Sequence, residues 1–314
     1  MRILVVGAGA IGGYFGGRLL QAGRDVTFLV RPKRGAQLAR TGLVIRSRFG
    51  DIDRPSPPTV TADAIRAPYD LILLSCKAYD LVSAADSFAP AVGAQTLILP
   101  LLNGMAHIDY LVTRFGSAAV LGGQCVISTT LDSEGRILHL NDIHGMSFGE
   151  RDGTVSSRME AVAAVLSGAN FESRLSTAIL QEMWEKWVLI ATMAGINCLL
   201  RATVGDIMAA GAGNLTTALL EECASVAAAH GFAPREQTMA RSRAMMTMPG
   251  STLAASMLRD IERGAPIEAD QIAGDLVRRG EAKGCGCSLL KIAYAHLKAY
   301  EARRARESAV SRAA

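Results

Sequence analysis

The sequence predicts an α/β N-terminal domain on a doubly wound parallel sheet, followed by an all-α C-terminal domain. Two features predict it. In the first half, short continuous apolar runs alternate with stretches of helical length. That is the pattern of strands buried on both faces and joined by crossover helices. After about Thr177 the strand-like runs stop and only helical spacing remains. A chain of 314 residues, half of them apolar, can bury two cores. The boundary is set near residue 175, giving domains at 1–174 and 175–314.

Taken in order, residues 3–6, 26–30, 71–75, 97–101 and 120–121 read as strands of the parallel sheet. Residues 11–22, 81–91 and 106–115 read as its helices. From 122 to 150 the texture changes. The runs 137–140 and 146–148 adjoin Asp132-Ser133-Glu134-Gly135, a turn signal, and predict an antiparallel extension of the sheet. A helix at 156–166 and a last strand at 171–175 close the domain. Arg54-Pro55-Ser56-Pro57-Pro58 is a loop inside it. The second domain has helical spacing at 179–200, 213–229, 235–246, 253–262, 267–283 and 288–306. Gly231, Pro249-Gly250, Gly264-Ala265-Pro266 and Gly284 punctuate these helices.

Composition excludes several classes. A net charge of +4 suits an anionic small molecule and not a nucleic-acid footprint. The arginines at 303, 304 and 306 read as a solvated helix face. The cysteines, Cys76, Cys125, Cys198, Cys223, Cys285 and Cys287, form no CxxC pair, and Cys285-Gly-Cys287 has no histidine nearby. This predicts no metal site and a reducing, cytoplasmic compartment. Glycines interrupt the apolar N-terminus, which argues against a signal peptide. No run of 18 apolar residues predicts a membrane span.

Gly7-Ala8-Gly9-Ala10-Ile11-Gly12 is a GxGxxG between a strand and a helix, the Rossmann-type dinucleotide fingerprint. Gly7 serves the tight turn, Gly9 the close approach of pyrophosphate, and Gly12 helix–strand packing. The helix start offers N–H groups to phosphate. The second strand ends in Arg31 where NAD sites usually carry an acid. A guanidinium pairs with a 2′-phosphate, so the cofactor predicted is NADPH, with Arg31 as its ligand and Lys33 or Arg34 assisting. Lys77 stands just past another strand end, where a lysine can also face phosphate.

With these residues in view, the whole chain resembles the ketopantoate reductase (2-dehydropantoate 2-reductase) family. The resemblance rests on the glycine loop, Arg31, Lys77, Leu101-Leu102-Asn103-Gly104-Met105, Trp184-Glu185-Lys186, Ser256-Met257-Leu258-Arg259-Asp260, and Glu268 twelve residues after Ser256. It implies NADPH-dependent reduction of a 2-oxo acid, with Lys186 as catalytic proton donor. An ammonium there meets the charge that builds on the carbonyl oxygen. It further implies that Ser256 binds the substrate carboxylate, and that Asn103 and Glu268 face both cofactor and substrate. The expected site is a cleft between the domains, serving pantothenate biosynthesis. No nucleic-acid or membrane partner is expected, and the apolar helical faces leave room for a homodimer.

One segment departs from the family. Its helix usually carries asparagines four and eight residues after the lysine, where this chain has Ile190 and Ala194. Asn197 lies about 16 Å further along the axis from Lys186. The wall is apolar, with Thr192 as its one hydroxyl, and predicts a 2-oxo acid with a more apolar tail than ketopantoate. Two other readings compete. One is an opine-type or 3-hydroxy acid dehydrogenase, against which the Asn-Gly-Met and Ser-Met-Leu segments argue. The other is a non-catalytic NADPH-binding regulator, against which Lys186 and Glu268 argue.

Overall fold

The computed structural model describes residues 1–313. The chain forms two compact units: Met1–Leu102 with His107–Ile179, and Asn103–Ala106 with the described residues from Leu180 onward.

The first unit runs β1 (Arg2–Val6), α1 (Ala10–Gln21), β2 (Asp25–Leu29), α2 (Pro32–Thr41), β3 (Leu43–Arg46), β4 (Ile52–Arg54) and β5 (Thr59–Val60). It continues with β6 (Leu71–Leu74), α3 (Leu81–Phe88), β7 (Leu97–Pro100), α4 (Ala106–Phe115), β8 (Gly122–Leu131), β9 (Ile137–Gly149), α5 (Ser157–Leu166) and β10 (Glu172–Leu175). Five strands form a fully parallel sheet in the order β5-β2-β1-β6-β7. The continuous apolar runs at β1, β6 and β7 supply its buried centre, as expected of strands covered on both faces.

The antiparallel extension is corrected. The β8–β9 hairpin belongs to a second five-stranded sheet, with β9 paired to β10, β3 and β8, and β3 to β4. The physical reason is the length of β9, 13 residues. Its two ends take different parallel partners, Ile137 and Leu138 on β3, Gly145 to Phe148 on β10. The strand expected at 120–121 is an isolated bridge, Ile98 to Val120, that precedes β8.

Helix α1 packs against strands of both sheets, and its glycines make that approach close. A Cβ at Gly16 would lie 2.5 Å from Phe28 in the parallel sheet. One at Gly13 would lie 2.5 Å from Ile137, and one at Gly17 2.6 Å from Ile45, both in the second sheet. Tyr14, Phe15 and Leu19 fill the remaining positions of the core. Arg18 is also buried there and donates from Nη2 to the Gly50 carbonyl at 2.7 Å.

The second unit holds α6 (Ile179–Leu200), α7 (Val204–Ala209), α8 (Gly213–Ala229), α9 (Glu236–Met246), α10 (Ser256–Glu262), α11 (Asp275–Ala282) and α12 (Ser288–Ala313). The helix expected at 267–283 begins with a π-helical turn, Asp270–Gly274. Such a turn inserts one extra residue and frees a carbonyl from the ladder. Cys198 and Cys223 lie buried among these helices, where desolvation pushes their thiols up to about 12. Cys76 in the first unit is half-buried instead. Among the described residues, no helix is long and apolar enough to cross a membrane.

Candidate active site

Each unit carries its own group of candidate residues. In the first, the glycine loop has the geometry its sequence predicts. Gly7 sits at φ +93°, in the region glycine alone enters freely. A Cβ at Gly12 would stand 2.3 Å from the Gly7 carbonyl oxygen and 2.2 Å from Ser75 Oγ, so only glycine lets α1 approach β1 this closely. At Gly9 a Cβ would meet nothing within 4 Å. Gly9 caps α1 without a side-chain hydrogen bond, and the first turn of α1 holds no acid. Ala10 and Ile11 follow it as the first residues of α1. The result is open space beside free N–H groups at a positive helix end, which fits a pyrophosphate.

Arg31 caps α2, with Pro32 in the first helical position. Its Nη2 donates to Asp80 Oδ1 at 2.7 Å and reaches Ser83 Oγ at 3.4 Å. The Asp80 carboxylate, first by hydrogen bonding and then by charge, raises the pKa of the guanidinium. Lys77 is exposed and caps the turn Ala78–Asp80 that delivers Asp80. Arg34 does something else. Its Nε donates to the Ala8 carbonyl at 2.9 Å and its Nη1 to Gln37 and the Gly135 carbonyl. It braces the glycine loop from α2, and burial lowers its pKa. These bonds give Arg34 a structural role that the sequence did not predict.

In the second unit, α6 is the element on which the other candidates are hung. Lys186 lies half-buried on its second turn. The neighbouring Glu185 accepts from Arg235 Nε and from the Arg235 main-chain N–H, each at 2.8 Å. Burial pushes the Glu185 carboxyl up, but the Arg235 hydrogen bonds outweigh it, and the net shift is downward. This pair ties α6 to the start of α9. Trp187 Nε1 donates to the Ile272 carbonyl, inside the π-helical turn, at 2.9 Å. The Ile272 N–H in turn bonds the Glu268 carbonyl at 3.0 Å. Gln271 Nε2, in the same turn, donates to the Asn103 carbonyl at 2.8 Å. Gly104 follows at φ +81°, where a Cβ would lie 2.9 Å from the Gln271 carbonyl oxygen. The segments bearing Lys186, Glu268 and Asn103 are therefore stitched together.

Ser256 is exposed at the first position of α10. The residue before it, Ala255, donates its N–H to Asn197 Oδ1 at 3.0 Å. Asn197 is fully buried near the end of α6 and also donates to the Ala202 carbonyl at 2.8 Å. The strand-like approach to Ser256 is held further by Val204 and Gly205, whose N–H groups bond Leu253 and Ser251. Trp187, Asn197 and Gln271 make the hydrogen bonds that join these segments, and of the three the sequence marked only Asn197, by its distance from Lys186.

The face of α6 that carries Lys186 is apolar. Leu189, Ile190 and Met193, three, four and seven residues on, are half-buried like Lys186 itself. Ala194 is buried, and Thr192 turns inward to bond the Val188 carbonyl at 2.8 Å. The hydroxyl expected on this wall is absorbed by the helix.

With this geometry established, comparison with known proteins is specific. Residues 3–153 match the family model described as "Ketopantoate reductase PanE/ApbA", and residues 178–301 match its "C terminal" counterpart. The chain is 36% identical over 305 residues to the "Uncharacterized oxidoreductase YkpB" of Bacillus subtilis (strain 168), covering 97% of this chain and 100% of that one. Among solved structures, the 2-dehydropantoate 2-reductase from Methylococcus capsulatus superposes with a TM-score of 0.86 at 27% identity, covering 97% and 98%. A D-mandelate dehydrogenase with NADH and anilino(oxo)acetate shares the fold, with a TM-score of 0.86 at 22% identity over 97% and 99%.

Proposed function

This chain belongs to the ketopantoate reductase family, and from that premise we propose that it reduces a 2-oxo acid to the 2-hydroxy acid with NADPH. The substrate is 2-dehydropantoate or a close analogue with an apolar tail, and the product in the first case is pantoate, an intermediate of pantothenate biosynthesis. The observation that carries the reading is the set of contacts made by α6 and the π-helical turn bonded to it. It ties the segments bearing Lys186, Asn103, Glu268 and Ser256 into one rigid frame.

The nicotinamide cofactor supplies the hydride. The protein's residues do the rest. The open N-terminus of α1 and Gly9 hold the pyrophosphate, and Arg31 with Lys77 holds the 2′-phosphate. Ser256, presented at a helix start, donates to the substrate carboxylate. The Lys186 ammonium stabilises the growing negative charge on the keto oxygen and then gives it a proton from Nζ. Asn103 and Glu268 orient the two reactants.

The stripe Leu189, Ile190 and Met193 favours the apolar analogue as a second reading, because it offers no hydrogen bond to a hydroxylated tail. The same fold serves a D-mandelate dehydrogenase, whose substrate carries an aromatic tail.

The test is NADPH oxidation at 340 nm with ketopantoate beside branched and aromatic 2-oxo acids. Turnover of any of them supports the reaction, and the ranking separates the two substrates. Lys186→Ala is expected to lose roughly a hundredfold or more in kcat with unchanged NADPH affinity. Unaltered turnover in that variant would reject Lys186 as the acid.

A further inference from the structure

An acid at the end of β2 reads as NAD, an arginine as NADP, and this chain has Arg31 there. In three dimensions the site has both. Asp80, 49 positions further along, arrives from the turn after β6 and binds Arg31 at 2.7 Å. Resting on the nicotinamide-cofactor reading above, we propose that Asp80 sets cofactor specificity, so that this enzyme uses NADH as well as NADPH.

Arg31 is 69% exposed and Asp80 34%, so their ion pair is weak and opens readily. A 2′-phosphate that takes Arg31 lies beside the Asp80 carboxylate, a repulsion that lowers affinity. A ribose 2′-hydroxyl meets the opposite situation. It can donate to the Asp80 carboxylate, the contact that NAD sites usually make from β2. The two side chains therefore pull in opposite directions. Arg31 favours the phosphate and Asp80 the hydroxyl, and the preference of the native chain is the small difference between them.

Adenosine 2′,5′-bisphosphate and 5′-AMP isolate this effect, because they carry the ribose without the nicotinamide. Their dissociation constants are measured by titration calorimetry for the native protein, Asp80→Asn and Arg31→Ala. Asp80→Asn keeps the shape, and the Asp80 main-chain carbonyl still accepts from Ser83 Oγ, so the turn is retained. It is expected to tighten the bisphosphate about tenfold and to weaken 5′-AMP several-fold. Arg31→Ala is expected to weaken the bisphosphate at least tenfold and to leave 5′-AMP within about threefold. NADPH and NADH fluorescence titrations should follow the same order. If Asp80→Asn weakens the bisphosphate, Asp80 positions Arg31 for phosphate and the proposal is overturned. A bisphosphate-to-AMP ratio within twofold of the native value overturns it too. If the native protein binds neither nucleotide, the cofactor reading itself fails and takes this proposal with it.

Discussion

Gly9 and Gly12 belong to one motif, yet they should fail in different ways when replaced by alanine. In Gly12→Ala the new methyl would sit 2.2 Å from Ser75 Oγ, 2.3 Å from the Gly7 carbonyl oxygen and 3.1 Å from Val5 Cγ1. The Ser75 hydroxyl can rotate away, but the Gly7 oxygen is main chain, so the loop must move by about an ångström to reach ordinary contact. Overpacking of this kind costs about 1–3 kcal/mol. For a unit of this size that lowers the melting temperature by roughly 2–4 °C per kcal/mol. In Gly9→Ala no atom lies within 4 Å of the methyl, and φ of −83° suits any residue. The ligand-free protein should melt within about 0.5 kcal/mol of native. The methyl instead enters the space proposed for the pyrophosphate. One assay reads both effects: thermal melting with and without NADPH. At a hundredfold excess over Kd the cofactor should add about 2.7 kcal/mol to the native protein. Gly9→Ala should keep the native melting temperature and lose that increment. Gly12→Ala should melt low before any cofactor is added. An undiminished NADPH increment in Gly9→Ala would refute the assignment of this loop to pyrophosphate.

Three further outcomes are expected. Asn197→Leu leaves the buried Ala255 N–H without its acceptor, which should cost about 2–3 kcal/mol in denaturant titrations, and the loosened Ser256 should raise KM for the 2-oxo acid more than it lowers kcat. Trp187→Phe removes the donor to the Ile272 carbonyl and should cost about 1–2 kcal/mol, with faster amide exchange in the π-helical turn as the readout. His144 is buried against Tyr14, Phe49 and His139, and desolvation first, then His139 and Arg18, depress its pKa, while Glu172 opposes them weakly. The native state then resists a proton that the unfolded chain accepts near pH 6.5, so stability is full above that value and falls as pH drops below it. Melting curves from pH 7.5 to 5 should show this loss, at no more than about 1.4 kcal/mol per pH unit for the one site, and His144→Gln should flatten it.

What could be read from the sequence depended on how locally each element is determined. The centre of the parallel sheet is written as unbroken apolar runs, because both of its faces are covered, and β1, β2, β6 and β7 fall where those runs lie. The segment between β2 and β6 carries no such mark. Helix α2 buries only Leu38, β4 has three residues, and β5 has two. The one clue to α2 was Pro32 in its first position. The short α7 announced itself through Thr203 and Asp206, a reciprocal cap three residues apart, in a stretch with too few residues to show periodicity. The turn signal at Asp132 to Gly135 located a hairpin but said nothing of its sheet. That choice was made by β3 and β10, which are distant in sequence.

The candidate site divides along the same line. Residues whose role is set by chemistry at one position, such as the glycines of the loop, were visible. Roles set by a partner were not. Asp80 pairs with Arg31 from 49 positions away, and Arg34 donates to the Ala8 carbonyl. The same distinction bears on the substrate. A pocket that recognises a tail by hydrogen bonds rejects the wrong tail strongly, since each unmet buried group is costly. If Leu189, Ile190 and Met193 form the wall proposed for the tail, they have no such groups to leave unmet, and their discrimination would amount to about 1–3 kcal/mol per methylene. Under the proposed function, Ile190 and Ala194 at the positions where the family usually carries asparagines would do more than exchange one substrate for another. On that proposal recognition would rest on the part of the molecule every 2-oxo acid shares, the carboxylate and the keto oxygen, which Ser256 and Lys186 are proposed to hold.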